Sequence, residues 1–211
     1  MKLQIAFDQT NLEEALACAD SIQQYADILE VGSLLIYKHG EHAVTKFKER
    51  YPEKTILADV KLVEKAKETI KLFADAGADW ITVMAGTPRN IIYTATQQAH
   101  ELNKRIMLDL FDASSLGQSA LEAKGLGADA LLFHAQTKEN TQLPLSEQWD
   151  MVKGNTPVPV FIAFHGPKEV IVQDLQTIKP FGIVLGSIVT QAEKPQEIAA
   201  FFDEIAHKLE S

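Results

Sequence analysis

Short apolar runs alternate with amphipathic stretches along the whole chain, and these two periodicities set the expected fold. Residues 3–8 form an apolar run closed by a carboxylate, Asp8. Leu12, Ala15, Leu16, Ala19 and Ile22 then recur at helical spacing, with Thr10 or Asn11 placed to cap the helix and Glu13 and Glu14 in its first turn. Residues 28–32 read as a second strand carrying Glu30, and 41–50 as a charged amphipathic helix closed by Pro52. The third strand, Ile56-Leu57-Ala58, runs into Asp59 and Lys61. Side chains alternate across a strand, so residues two apart point the same way, and a carboxylate and an ammonium are expected side by side. Glu64 is expected on the following helix, which stops at Asp75-Ala76-Gly77.

The alternation continues. Strands are expected at 80–85, at 106–110 with Asp109, at 130–134 ending in His134, at 160–163, and at 181–185 running into Gly186-Ser187. Helices are expected at 89–103, from Ser114 or Ser115 to Gly125 or Gly127, near 146–153 after Pro144, at 168–178, and at 195–209 with Pro195 in the first turn. Strands this apolar suit a parallel sheet buried on both faces. Eight strand–helix units in 211 residues predict a single (β/α)8 TIM barrel over the whole chain, with no linker or second domain. The competing architecture is an open doubly wound sheet, but no Gly-rich dinucleotide fingerprint follows the first strand. Ala76-Gly77-Ala78-Asp79 and Leu126-Gly127-Ala128-Asp129 echo each other and are expected to be helix-to-strand turns.

Composition narrows the class. The chain is 46% hydrophobic and 23% charged, with a formal net charge of −9. An acidic surface repels phosphate backbones, so nucleic acid is not an expected partner, although a small phosphorylated metabolite is compatible with local fields at helix N-termini. The single cysteine, Cys18, forms no internal disulfide and is expected on the inner face of the first helix, in keeping with a reducing compartment. No run approaches a membrane span and none near Met1 resembles a signal peptide, so a cytoplasmic protein with no membrane partner is expected.

A barrel of this kind gathers its chemistry at the C-terminal ends of its strands. There the sequence places Asp8, Glu30, Asp59, Lys61, Asp109 and His134. Taken singly, Asp109 reads as a turn anchor and His134 as a core histidine; it is their convergence at one face that points to a site. Glu30 and Asp59 lie on neighbouring strands and are expected to share one cation. Oxygen ligands without cysteine or paired histidine point to Mg²⁺ or Mn²⁺, an ion able to stabilise an ene-diolate, with Lys61 adding positive charge. Gly166, Gly186 and Ser187 follow strands seven and eight, where such barrels bind phosphate.

These residues bear a resemblance. Asp59-Val-Lys61-Leu-Val-Glu64 resembles the Asp-x-Lys-x-x-Asp motif of the orotidine monophosphate decarboxylase superfamily, and the chain is most similar to its 3-hexulose-6-phosphate synthase branch. Residues 1–8, 28–32, 75–79, 108–110, 133–135 and 184–188 support the likeness in their order and spacing. The resemblance implies a homodimeric barrel that uses Mg²⁺ to condense formaldehyde with D-ribulose 5-phosphate. It implies that Glu30 and Asp59 hold the metal, that Asp8 and Lys61 contact substrate oxygens, and that His134 is the acid/base for the C1 proton. By the same resemblance Glu64 reaches into the partner's site, and Gly166, Gly186 and Ser187 bind phosphate. The sister branch, 3-keto-L-gulonate-6-phosphate decarboxylase, carries an arginine three residues after the histidine, where this chain has Thr137. Two positions depart from the pattern. Glu64 replaces the motif's last aspartate, and Phe164-His165-Gly166-Pro167 stands where the family has small residues and paired glycines. There His165 is either a phosphate donor or a surface-loop histidine, and Pro167 has no N–H to offer. A barrel that has lost its chemistry and serves as a binding or scaffold protein is the non-enzymatic alternative.

Overall fold

In the computed structural model, which describes residues 1–135 and 143–209, eight parallel strands close in sequence order into one barrel. They are β1 (Lys2–Phe7), β2 (Ile28–Val31), β3 (Thr55–Leu62), β4 (Trp80–Met84), β5 (Arg105–Asp109), β6 (Ala130–His134), β7 (Val160–Phe164) and β8 (Gly182–Leu185). Closure removes every sheet edge, and the open-sheet alternative falls. Helices follow each strand, as the periodicity requires.

The period of two along each strand divides the side chains into two sets. Leu3, Ile5, Leu29, Ile56, Ile81, Ile106, Leu131 and Ile183 face outward into the core beneath the helices. Ala6, Ile28, Leu57, Trp80, Met107, Ala130, Leu132, Phe161, Ala163 and Val184 fill the barrel interior. Following the interior rows two residues onward meets polar groups at nearly every strand end: Asp8, Glu30, Asp59, Thr82, Asp109, His134, His165. The barrel is therefore apolar below and polar at its mouth. At its lower end Gly182 makes room for Phe161, whose ring would lie 2.4 Å from an added Cβ.

The turns beneath the barrel share one device. Asp27, Asp79 and Asp129 each precede a strand and accept the N–H that opens the strand before: Leu3 at 2.9 Å, Ile56 at 2.9 Å and Ile106 at 2.8 Å. The echoed Gly-Ala-Asp turns are two of these three. Their glycines take positive φ, +99° at Gly77 and +87° at Gly127, which ordinary residues adopt at a cost.

Some expectations shift. Leu34, Leu35, Ile36 and Tyr37 continue the apolar run after β2 but coil into a helix, Ser33–His39, that the periodicity did not reveal; only Leu35 and Ile36 of it are buried. The helix after Ser115, Leu116–Ala123, stops short of both glycines. Glu64 is not helical: it lies exposed in the loop after β3, because the next helix, Ala66–Asp75, begins only after Lys65 in a left-handed N-cap. Among the described residues no helix is long and apolar enough to cross a membrane.

Candidate active site

The polar ring at the mouth surrounds a cavity of about 270 Å³ lined by Asp8, Glu30, Asp59, Lys61, Phe111, His134, His165 and Gly186, among others. Of the residues expected from sequence, Asp8, Glu30, Asp59, Lys61, His134 and Gly186 thus share one space. Gly166 and Ser187 line a second groove of about 420 Å³, which shares Phe164 and His165 with the first. Glu64 lines neither. Thr137 lies outside the described residues.

Lys61 reaches its place by an irregularity in β3. The pairing of β3 with β4 shifts register between Ala58 and Leu62, and Lys61 takes φ +51°, a left-handed conformation costly for a residue with a Cβ. The expected juxtaposition with Asp59 is present, Nζ to Oδ2 at 3.2 Å, but the bulge at Lys61 is part of how it is made. Thr82, 0% exposed on β4, holds the bulge closed. Its hydroxyl accepts the Lys61 N–H at 2.9 Å and donates to Asp59 Oδ1 at 2.8 Å.

Asp109 is the hub. It is 0% exposed. One oxygen accepts from Lys61 Nζ at 3.0 Å; the other accepts the Phe111 N–H at 2.9 Å and pairs with His134 Nε2 at 2.7 Å. Burial opposes its ionisation, but His134, Lys61 and the Phe111 amide outweigh this and hold the carboxyl below its ordinary range. A carboxylate only accepts, so this contact places a proton on His134 Nε2 and leaves Nδ1 as the nitrogen not used by Asp109. Burial also works against the Lys61 charge, yet Asp59 and Asp109 together keep the ammonium above its usual range. With both oxygens engaged by Lys61, His134 and the Phe111 amide, Asp109, placed by the sequence among the polar residues at the mouth, lies behind the cavity lining rather than in it.

Glu30 and Asp59 are each 5% exposed. Burial, reinforced by the Asp59 charge, pushes the Glu30 carboxyl well above its ordinary range, against the opposing pull of Gln4, whose Nε2 donates to it at 2.6 Å. Burial likewise raises Asp59 despite Lys61. Both carboxyls are raised because their charged forms lack a full counter-charge: Lys61 pairs with Asp59 and Asp109, and a cation bound between Glu30 and Asp59 would supply what is missing. Two carboxylates plus solvent and substrate oxygens suit Mg²⁺, which keeps several waters; among the described residues no cluster of three or more acidic, histidine or cysteine side chains forms a fuller cage. Sequence reasoning missed Thr82 and Gln4. Their signal was available: each is a polar residue at an inward position of an otherwise apolar strand.

A closed parallel barrel with its polar side chains at the strand C-termini is the frame of a TIM-barrel family, and the comparisons say which one. The chain belongs to the orotidine 5'-phosphate decarboxylase / HUMPS family, whose model matches residues 1–201. It is 29% identical over 206 residues to a 3-hexulose-6-phosphate synthase of Bacillus subtilis, covering 95% of this chain and 96% of that one. The crystal structure of 3-hexulose-6-phosphate synthase from Salmonella typhimurium superposes with a TM-score of 0.90 at 28% identity, over 99% of this chain and 100% of that one. The 3-keto-L-gulonate-6-phosphate decarboxylase of Vibrio cholerae superposes with a TM-score of 0.81 at 25% identity, over 99% of this chain and 98% of that one.

Proposed function

We propose that the protein is an aldehyde-lyase that joins formaldehyde to D-ribulose 5-phosphate through an ene-diolate, the reaction that its resemblance to the 3-hexulose-6-phosphate synthase branch implies. The observation that carries this reading is the Asp109 hub, which sets the His134 imidazole and the Lys61 ammonium on one small cavity that Glu30 and Asp59 also line. His134 Nδ1 takes a proton from C1 of the ketose. The C–H electron pair becomes the C1–C2 double bond, and the charge collects on the C2 oxygen, where Lys61 offsets it. C1 then attacks the formaldehyde carbon. A carbon–carbon bond forms, the C2 carbonyl returns, and the new alkoxide takes the proton from His134. Glu30 and Asp59 would hold a divalent cation, Mg²⁺ or Mn²⁺, which would supply positive charge to offset that developing on the substrate. Asp8 contacts the sugar's hydroxyls. Gly166, Gly186 and Ser187 bind the phosphate end in the adjoining groove.

The proposed assembly is a homodimer in which Glu64 serves the partner's site. Its exposed position beside Val63, 53% exposed, supports this reading. The sister decarboxylation reaches the same ene-diolate by losing CO₂. The two are separated by assaying hexulose phosphate formation from formaldehyde and ribulose 5-phosphate beside CO₂ release from 3-keto-L-gulonate 6-phosphate, with His134→Ala as control. CO₂ release without condensation moves the assignment to the decarboxylase. Neither product, with no stabilisation by Mg²⁺ and sugar phosphate, leaves a binding or scaffold barrel.

A further inference from the structure

His165 sits at the seam between the mouth cavity and the adjoining groove and lines both. It continues the inward row of β7, two residues beyond Ala163. Its ring lies parallel to that of His134, with centroids 6.3 Å apart and planes 11° apart. Among the described residues its ring nitrogens have no hydrogen-bond partner within the chain, so an N–H is free to donate.

The groove has an electrostatic gap. Its described lining is Phe164, His165, Gly166, Ser187, Ile188, Gln191 and Ala192, so His165 is the one side chain there able to carry positive charge. Pro167 removes a backbone donor from the same loop. The helix that follows, Lys168–Leu175, opens with Lys168, whose Nζ lies over the Phe201 ring at 4.5 Å and is absent from the groove lining, and with the acidic Glu169. The mouth beyond is dominated by Asp8, Glu30 and Asp59 against Lys61. A phosphate ester is repelled by the mouth's carboxylates and finds one titratable donor at the groove's entrance.

We propose that His165 is a specificity-determining residue that donates a hydrogen bond to the substrate's phosphate and so selects phosphorylated over unphosphorylated ligands. The inference rests on the reading of the substrate as a phosphate ester. Partial burial and the neighbouring His134 lower the imidazole's proton affinity, against the pull of Asp8; a neutral ring still donates one N–H, and an approaching dianion favours the second proton.

The test is titration of the intact protein, with Mg²⁺ present, by D-ribulose 5-phosphate in a calorimeter and by inorganic phosphate followed by ³¹P NMR. His165→Ala is expected to weaken both about tenfold or more, the scale of one hydrogen bond to a charged group. His165→Asn, which keeps an N–H donor, is expected to recover most of that loss. An alanine variant that binds both probes as the unaltered protein does, or that weakens the sugar phosphate and not inorganic phosphate, overturns the assignment. Failure of the unaltered protein to bind ribulose 5-phosphate removes the substrate reading alone. Failure to bind inorganic phosphate as well overturns the role of His165.

Discussion

Thr82→Val separates the geometry of the site from its bulk packing. Valine keeps the shape of threonine, so little cavity opens. What disappears is a hydroxyl used twice, once by the Lys61 amide at 2.9 Å and once by Asp59 at 2.8 Å. The first is a neutral bond worth about 1 kcal/mol and the second a bond to a carboxylate worth about 2 kcal/mol. Both groups are left buried without that partner, so the expected destabilisation is about 3 kcal/mol. In a chain of this size that lowers the melting temperature by roughly 6–12 °C. The left-handed backbone at Lys61 loses the bond that holds it, and its ammonium moves relative to Asp59 and Asp109. Displacement on that scale is expected to cost about a hundredfold in turnover. Thr82→Ser keeps the hydroxyl and is expected to recover most of the turnover while losing about 1 kcal/mol for its missing methyl. Urea unfolding and the rate of C1 proton exchange on ribulose 5-phosphate give the two readouts. A valine variant within about 0.5 kcal/mol of the unaltered protein, or one that is less stable but equally active, refutes the positioning role.

Other outcomes follow from the same contacts. Asp109→Asn weakens the charge balance of Lys61 and the hold on the His134 tautomer, and is expected to slow exchange by about a hundredfold or more at unchanged fold, checked by circular dichroism. Mixing inactive Glu64→Ala and His134→Ala dimers is expected to restore activity, because the mixed dimer holds one intact site; no recovery after subunit exchange argues against a partner role for Glu64. Burial opposes ionisation of Asp79, but the Ile56 amide, Lys48 and Lys104 outweigh it and hold its carboxyl low. A depressed folded value contributes stability in full above the unfolded value of about 3.9, lost as pH falls through the folded one. Asp79→Asn is therefore expected to flatten the fall in urea midpoint as pH drops below about 4. Gly77→Ala places a Cβ 2.7 Å from Lys48 Cγ at φ +99° and is expected to cost about 1–2 kcal/mol in urea unfolding.

The barrel was legible because its strands are buried on both faces and its helices are amphipathic, and each writes its own period into the chain. The helix Ser33–His39 was not legible, since residues 34–37 are apolar throughout and carry neither period clearly. The candidate site was legible as a set of charges at strand ends, yet not as a network. Sequence showed Asp59 and Lys61 two apart, but the bulge and left-handed backbone behind the pair depend on Thr82, twenty-one residues away. Asp109 looked like one more polar group at the mouth; its part as the shared acceptor of Lys61 and His134 exists only once β3, β5 and β6 are neighbours. His165 looked like a loop residue, and it does lie one residue past the end of β7 at Phe164; that it continues the inward row of Ala163 shows only once the barrel lining is known.

The account turns on a cation shared by Glu30 and Asp59 beside the His134 base. The direct measurement is proton NMR of D-ribulose 5-phosphate in D₂O with the protein, with Mg²⁺ and then with excess chelator. A C1 proton signal is expected to disappear with Mg²⁺ and to persist with the chelator and in either Glu30→Gln or His134→Ala. Exchange that continues at the same rate without divalent metal, or in the Glu30→Gln variant, contradicts this.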